Sequence, residues 1–378
     1  MIKRIYTLVT VASLFAMTAV PASAGNVTTG LTRDTSGGSA PIVKAKWEAY
    51  GATNKGTGTP LPVTGYYTDE QTTAGAQFVP SGIKDTNTNI ALCSVVTDPD
   101  GLADVTTAPG AVYGDVFYPE GIALGSSHVP LPGQSNLACG NLMQEDKLIQ
   151  LSKADGIELF CNQVRNNNNN LATFASGYNY DEICKTDGEL QKETAAVYCV
   201  TKDLSYEDTA GDYKVWSVVQ DKVGLQGRLE NQFTYLPLTA FETDFTSVGY
   251  GNVRLATDKI ISGDLTWDAL DQGKASVRNV GNTRLSMKVQ QDDMGFGKTN
   301  GLWNVRYDAR VGSSATWAHY DPDTLTQLLN PLNLSQLDEM DFSIYVTKFP
   351  PTHVGDTYTG TMTLSAVSEL PLACATAP

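Results

Sequence analysis

Apolar and polar residues alternate with period two in several stretches of the chain, which predicts strands. In residues 42–49, Val43, Ala45, Trp47 and Ala49 alternate with Lys44, Lys46 and Glu48, one face dry and one wet. Residues 89–98 are apolar on both faces, as an interior strand requires. The turn Asp98-Pro99-Asp100-Gly101 follows, then strand signals at 111–118 and 210–221. Further on, Leu285, Met287 and Val289 alternate with Arg284, Ser286 and Lys288, so residues 275–289 read as a hairpin turning at Gly281-Asn282. Near the C-terminus Tyr358, Gly360, Met362, Leu364 and Ala366 oppose a Thr/Ser face of Thr357, Thr359, Thr361, Thr363 and Ser365, which predicts a half-buried antiparallel strand.

One region changes period. Leu148, Leu151, Ala154, Ile157, Phe160 and Val164 recur every three or four residues and predict a helix that Gly156 should break. Five asparagines at 166–170 make a connection, and Thr186-Asp187-Gly188-Glu189 reads as a capping box opening a second helix through Leu190, Val197 and Tyr198. Residues 139–204 are therefore expected to form a helical insertion. The resulting division is a leader at 25–39, a first domain at 40–240, a second at 241–366 and a tail at 367–378. The leader is Gly, Thr and Ser with little apolar content.

The VTDPDG turn and the AGDYKVWSVVQD strand resemble the second, third and sixth strands of prokaryotic immunoglobulin-like surface domains. That resemblance implies a tyrosine corner at Tyr213, and it puts Val215 where antibody-type domains carry their second core cysteine, so no inter-sheet disulfide is expected there. DFTSVGYGNV, SVRNVGNTRLSMKV and MDFSIYVTKFPPTHVGDTYTGTMTLSA resemble prokaryotic extracellular immunoglobulin-like or jelly-roll modules over most of 241–366. The implied fold is mainly β, two immunoglobulin-like or jelly-roll β-sandwiches with a small α-helical insertion in the first. The matching residues are turns and core positions, so the resemblance speaks to fold and location rather than activity.

Composition adds a compartment. Lys3 and Arg4 precede an uncharged apolar run, and Ala22-Ser23-Ala24 is a small-x-small site, so residues 1–24 read as a signal peptide cleaved before Gly25. No later run reaches the length of a membrane span, so membrane insertion is not expected. Losing Lys3 and Arg4 takes the formal net charge from −15 to −17, a balance that repels nucleic acid. Six cysteines with no C-x-x-C pair read as disulfides in an exported chain. Two antiparallel helices would join Cys139 to Cys199 and Cys161 to Cys184, leaving Cys93 and Cys374 unassigned.

Candidate chemistry is sparse. The three histidines, at 128, 319 and 353, lie in separate segments outside any catalytic motif, and no nucleophile elbow, zinc helix or phosphate loop occurs, so no enzyme is expected. Asp98, Asp100 and Asp104 around a glycine turn are the candidate calcium ligands, and calcium is the one candidate cofactor. Asp292-Asp293-Met294-Gly295 is a weaker version of the same pattern. Trp303 and Trp317 are the candidates for stacking on a glycan or for a protein interface. Leu61-Pro62-Val63-Thr64-Gly65 matches a sortase signal by letter but lacks the hydrophobic and basic context of one. The function expected is a secreted, cell-surface structural or adhesive protein, a subunit of a sheath, filament, S-layer or matrix, partnered by itself or by envelope proteins. A secreted carbohydrate-binding protein is the alternative and an extracellular hydrolase a distant third. The leader is a segment that an edge strand could accept, although its low apolar content makes it a poor plug for a hydrophobic groove.

Overall fold

The computed structural model describes residues 38–50, 77–117, 142–165, 172–350 and 357–369. The strands of the first half are β1 (Ile42–Tyr50), β2 (Gln77–Phe78), β3 (Asn87–Thr97), β4 (Ala111–Phe117), β5 (Leu142–Lys147), β6 (Ile149–Gln150), β7 (Thr173–Phe174), β8 (Ala195–Ser205), β9 (Gly211–Gln220) and β10 (Gln226–Tyr235). They form two five-stranded sheets, β6-β8-β3-β1-β7 and β2-β10-β9-β4-β5, packed as a sandwich. In the second half come β11 (Phe241–Thr243), β12 (Asp258–Ile261), β13 (Ser276–Asn279), β14 (Arg284–Gln291), β15 (Lys298–Thr299), β16 (Leu302–Trp303), β17 (Val305–Val311), β18 (Ala318–Tyr320), β19 (Thr326–Gln327), β20 (Leu337–Val346) and β21 (Met362–Glu369). Here the larger sheet runs β11-β13-β20-β17-β18, with β12 also on β20, and faces a sheet of only three strands, β19-β14-β21. The protein is mainly β, a pair of sandwiches with a small helical insertion in the first. No helix among the described residues is long and apolar enough to cross a membrane.

The first sheet is buried on both faces. Ala91, Cys93 and Val95 of β3 point into a core closed by Leu159, Phe160 and Ile183 of the insertion, while Ile90, Leu92 and Val96 point at the opposing sheet. The residues of β1 read as a wet face are accordingly buried too: Lys44, Lys46 and Glu48 are 4%, 1% and 1% exposed. A register shift between Val43 and Ala45 explains how the strand serves both cores. Val43 faces the opposing sheet, whereas Ala45, Trp47 and Ala49 face the helices, because one extra residue reverses the side-chain alternation.

The helical insertion is smaller than 139–204. An α-helix at Lys153–Ile157 passes into a π-helical stretch at Glu158–Val164, and a second short helix spans Tyr180–Cys184. Gly156 does not break the first helix. It lets the helix close on β8, where an added Cβ would meet Val197 at 3.1 Å. The second helix starts at Asn179, whose side chain accepts the Glu182 amide, and not at Thr186. Residues 186–194 are turns. The helix expected through Val197 and Tyr198 is instead β8, with Ala195, Val197 and Cys199 on one face and Ala196 and Tyr198 on the other. Apolar residues on both faces of a central strand mimic helical spacing when only every third or fourth is counted.

The Cys139–Cys199 pairing is corrected on the same ground. Cys93 and Cys199 are directly opposite in the β3–β8 ladder and are bonded to each other within one sheet. Cys139 lies outside the described residues, as does Cys374. Cys161 and Cys184 are bonded, tying the π-helical stretch to the second helix. Val215 is a buried core residue without a disulfide, and the Tyr213 hydroxyl donates to the Thr209 carbonyl at 2.8 Å, the hydrogen bond of a tyrosine corner.

Residues 275–289 are not a hairpin. β13 pairs with β11 and β20, and β14 with β19 and β21, so the chain crosses between sheets at Gly281-Asn282. The crossing doubles as a clamp on the linker from the first sandwich. The Asn282 side chain accepts the Leu238 amide and donates to the Leu236 carbonyl, its backbone N–H donates to the Leu238 carbonyl, and its own carbonyl accepts the Ala210 amide. Gly281 is required there, since a Cβ would stand 2.2 Å from the Leu238 oxygen.

Candidate functional site

The feature of the second sandwich that stands out is an open side. β14 and β21 are antiparallel partners, with Met287 opposite Ala366, Val289 opposite Leu364 and Gln291 opposite Met362. Opposed residues share a face, so all of these point inward. On β14, Met287 and Val289 are 0% exposed. On β21, Met362, Leu364 and Ala366 are only half-buried. The core is sealed over the middle strand of the three and unsealed over the last, as in a sheet one strand short. Among the described residues no strand pairs with the outer edge of β21.

Beside that edge lies a groove of about 1260 Å³ between residues 357–364 and the irregular segment 245–253. Its floor is pinned by Tyr250, whose hydroxyl donates to Gln291 Oε1 at 3.1 Å and whose phenol is pushed up by burial. One end is aromatic: the Tyr358 ring stacks on Phe296 at 4.5 Å, with Phe349 beside both. Asp292 fixes the approach to β21, its Oδ2 accepting the Thr361 amide at 2.8 Å and its Oδ1 the Met294 amide at 3.0 Å. Gly360 passes so close that a Cβ would meet Asp292 Oδ1 at 2.1 Å. None of the groove's lining residues is charged, in a chain where 18% are. Nor does β21 carry a proline or a charge before Glu369, although exposed edges are ordinarily blunted by one or the other.

Of the sequence candidates, the Asp292–Gly295 turn borders this groove through Asp292 and Met294, and none of the others is among its lining residues. Asp98 is 4% exposed, and its Oδ1 accepts the Asp100 amide while its carbonyl accepts the Gly101 amide, so it builds the turn. Desolvation pushes its carboxyl up, and Oδ2 has no hydrogen-bond partner. Asp104 pairs with Lys222 at 2.7 Å. Among the described residues no three acidic, His or Cys groups converge as a cation cage, so the structure does not bring Asp98, Asp100 and Asp104 together as one. Asp293 accepts the Gly295 and Gly297 amides and, like Asp292, organises a loop. Trp303 lies on β16 under Lys298 at 3.9 Å, and Trp317 precedes β18 under Arg310 at 4.5 Å. Each ring thus has one face occupied by a cation.

Sequence reasoning missed the wall at 245–253 and the open edge. The signals were the uncharged glycine-bearing run Ser247-Val248-Gly249-Tyr250-Gly251 and seven successive residues of β21 without charge or proline.

No family model matches the chain, and no curated protein matches it. Among solved structures, the C-terminal domain of the antigen I/II polypeptide BspA of Streptococcus agalactiae is 11% identical, covering 82% of this chain and 91% of that one, with a TM-score of 0.20. The C-terminal domain of the antigen I/II-family protein AspA of Streptococcus pyogenes is 12% identical, covering 88% and 98%, at 0.21. A carbohydrate-binding module of the β-sandwich superfamily is 9% identical, covering 76% and 92%, at 0.16. TM-scores of this size fall short of a common topology, and the site is read from its own geometry.

Proposed function

We propose that this protein is a secreted structural or adhesive subunit of an extracellular assembly, with no catalytic step, and that it joins copies of itself through the second sandwich. One observation carries the reading: the inward residues of β21 are half-open beside an uncharged groove while their partners on β14 are sealed. A strand added at β21 would cover those residues, satisfy a row of edge N–H and C=O groups and leave no charge buried. Export through the signal sequence and the acidic balance fit an extracellular, surface-associated subunit.

The test is mass against concentration for the chain beginning at Gly25, by multi-angle light scattering with electron microscopy of the concentrated sample. Growing oligomers or filaments are the expected result. A monomer at all concentrations, with and without calcium, overturns the proposal. The aromatic end of the groove favours carbohydrate binding as a second reading, since the cluster of Tyr358, Phe349 and Phe296 could offer a face on which a sugar ring stacks. Saturable glycan binding by a strictly monomeric protein would establish it instead.

A further inference from the structure

We infer that the strand completing the second sandwich is the leader of a neighbouring copy, Asn26-Val27-Thr28-Thr29-Gly30-Leu31-Thr32, laid along β21. This rests on the assembly reading above and names what is exchanged. The occupant must be extended, free of proline at its pairing positions and uncharged, because it meets a strand edge on one side and uncharged walls on the others. The sequence offers few such segments outside the described residues. Those at 351–356 and 370–378 carry proline and offer no uncharged proline-free run of seven, and 51–76 offers none either. Residues 166–171 are five asparagines and one leucine, a composition depleted in strands. The uncharged proline-free runs at 121–129 and 133–141 are tied at both ends between β4 and β5. Residues 26–32 contain neither proline nor charge, and they sit next to the terminus that cleavage at Ala24 would create. A terminal segment can join an edge as one strand without dragging a loop across it.

Length and pattern agree. Seven residues in a strand span about 23 Å, against about 26 Å for the eight residues of β21. Val27, Thr29 and Leu31 fall on one face at the two-residue repeat of Met362, Leu364 and Ala366. The modest apolar content of the leader, a drawback for a wholly greasy groove, suits this one. Its walls include the hydroxyls and amide of Thr246, Ser247, Asn252, Thr357 and Thr359 alongside the aromatic and aliphatic side chains. Asp34 and Arg33 follow the run and would lie beyond the groove, where charge is tolerated.

The experiment compares the chain from Gly25 with one beginning at Gly38, by light scattering, and titrates a fluorescent peptide of residues 25–34 into the shorter chain. The inference expects the shorter chain to be monomeric and the peptide to bind it saturably. Binding should weaken more than tenfold in Leu364→Arg and in Ala366→Asp, and be unchanged in Ser314→Lys on an exposed turn. Ala366→Asp is the milder change and decides the matter if Leu364→Arg does not fold. If the shorter chain assembles as well as the longer one, the leader is wrong and assembly stands. A longer chain that stays monomeric while the shorter one captures the peptide means that each leader fills its own groove, which overturns both the exchange and the assembly. No peptide binding to the shorter chain also overturns the inference.

Discussion

Asp115 offers a sharp test of the first sandwich because its burden can be switched by pH. It sits in β4 directly opposite Glu145 of β5, one carboxylate facing another, and its Oδ1 is buried without a hydrogen-bond partner. Desolvation first, and Glu145 second, push its carboxyl from 3.8 up to about 6. Between those values the folded protein holds a proton that the unfolded chain has released. The contribution of Asp115 to stability is therefore most favourable below about pH 4, falls as the pH rises towards 6, and stays reduced above it. The full shift corresponds to about 3 kcal/mol. The side chain is partly exposed, so solvent screening brings the expected loss at neutral pH to about 1–2 kcal/mol. Asp115→Asn keeps the shape and removes the charge. Urea unfolding of the variant and the parent at pH 4 and pH 7, followed by tryptophan fluorescence, should show near-equal stability at the lower pH and an advantage of about 1–2 kcal/mol for the variant at the higher. Glu145→Gln should move in the same direction by less. An Asn variant that is weaker at pH 7, or a difference independent of pH, would refute the reasoning.

The buried Lys46 is paired with Glu48, and both reach Asn231 across the sandwich, while desolvation holds the ammonium below its ordinary value. Either Lys46→Met or Glu48→Gln alone should cost about 3–5 kcal/mol in urea unfolding, and the double variant less than either, since it leaves no uncompensated charge. Strictly additive costs would contradict this. Asn282→Ala strips two hydrogen bonds from the linker between the sandwiches, so it should destabilise by about 2–4 kcal/mol and split one calorimetric transition into two. Removing the Cys161–Cys184 bond, which spans 23 residues, by a double Ser substitution should cost about 3 kcal/mol and expose the insertion to protease before the sheets. Peptide mapping of the parent should recover Cys93 joined to Cys199.

What could be read in advance was local. The turn at Asp98-Pro99-Asp100-Gly101 and the strands around it follow from residues adjacent in sequence and stand as expected, and the tyrosine corner at Tyr213, implied by the resemblance to immunoglobulin-like surface domains, is present too. The misreadings all involve partners that sequence does not supply. Lys46 and Glu48 read as solvent-facing because charge ordinarily marks the wet side, yet each is buried by finding the other and Asn231. Val197 and Tyr198 read as helical because both faces of β8 are covered, one by the insertion and one by a sheet. Gly281-Asn282 has the letters of a tight hairpin, but the hydrogen bonds of Asn282 are used on a linker more than forty residues earlier. The groove was invisible for a related reason. A strand that lacks a neighbour has the same period as one that has it, and only the exposure of Leu364 against that of Val289 tells them apart.

The two sandwiches differ in how their surfaces are finished, and the difference bears on how a subunit would carry load. The first has both faces of its inner sheet covered, a disulfide across β3 and β8, and a second one locking the insertion that covers it. The second keeps one side open, with an uncharged edge at β21. A strand captured at that edge would pull on β21, hence on β14 through eight paired residues. β14 begins two residues after Asn282, where the clamp grips the linker and Ala210 of the first sandwich. A second contact, from the Tyr206 hydroxyl to Ser335 Oγ at 3.0 Å, lies beside it. Force entering at the groove would thus reach the first sandwich through partly buried hydrogen bonds of 2.7 to 3.2 Å and not through a slack tether. Under the assembly proposed above, that path would carry load from one copy to the next.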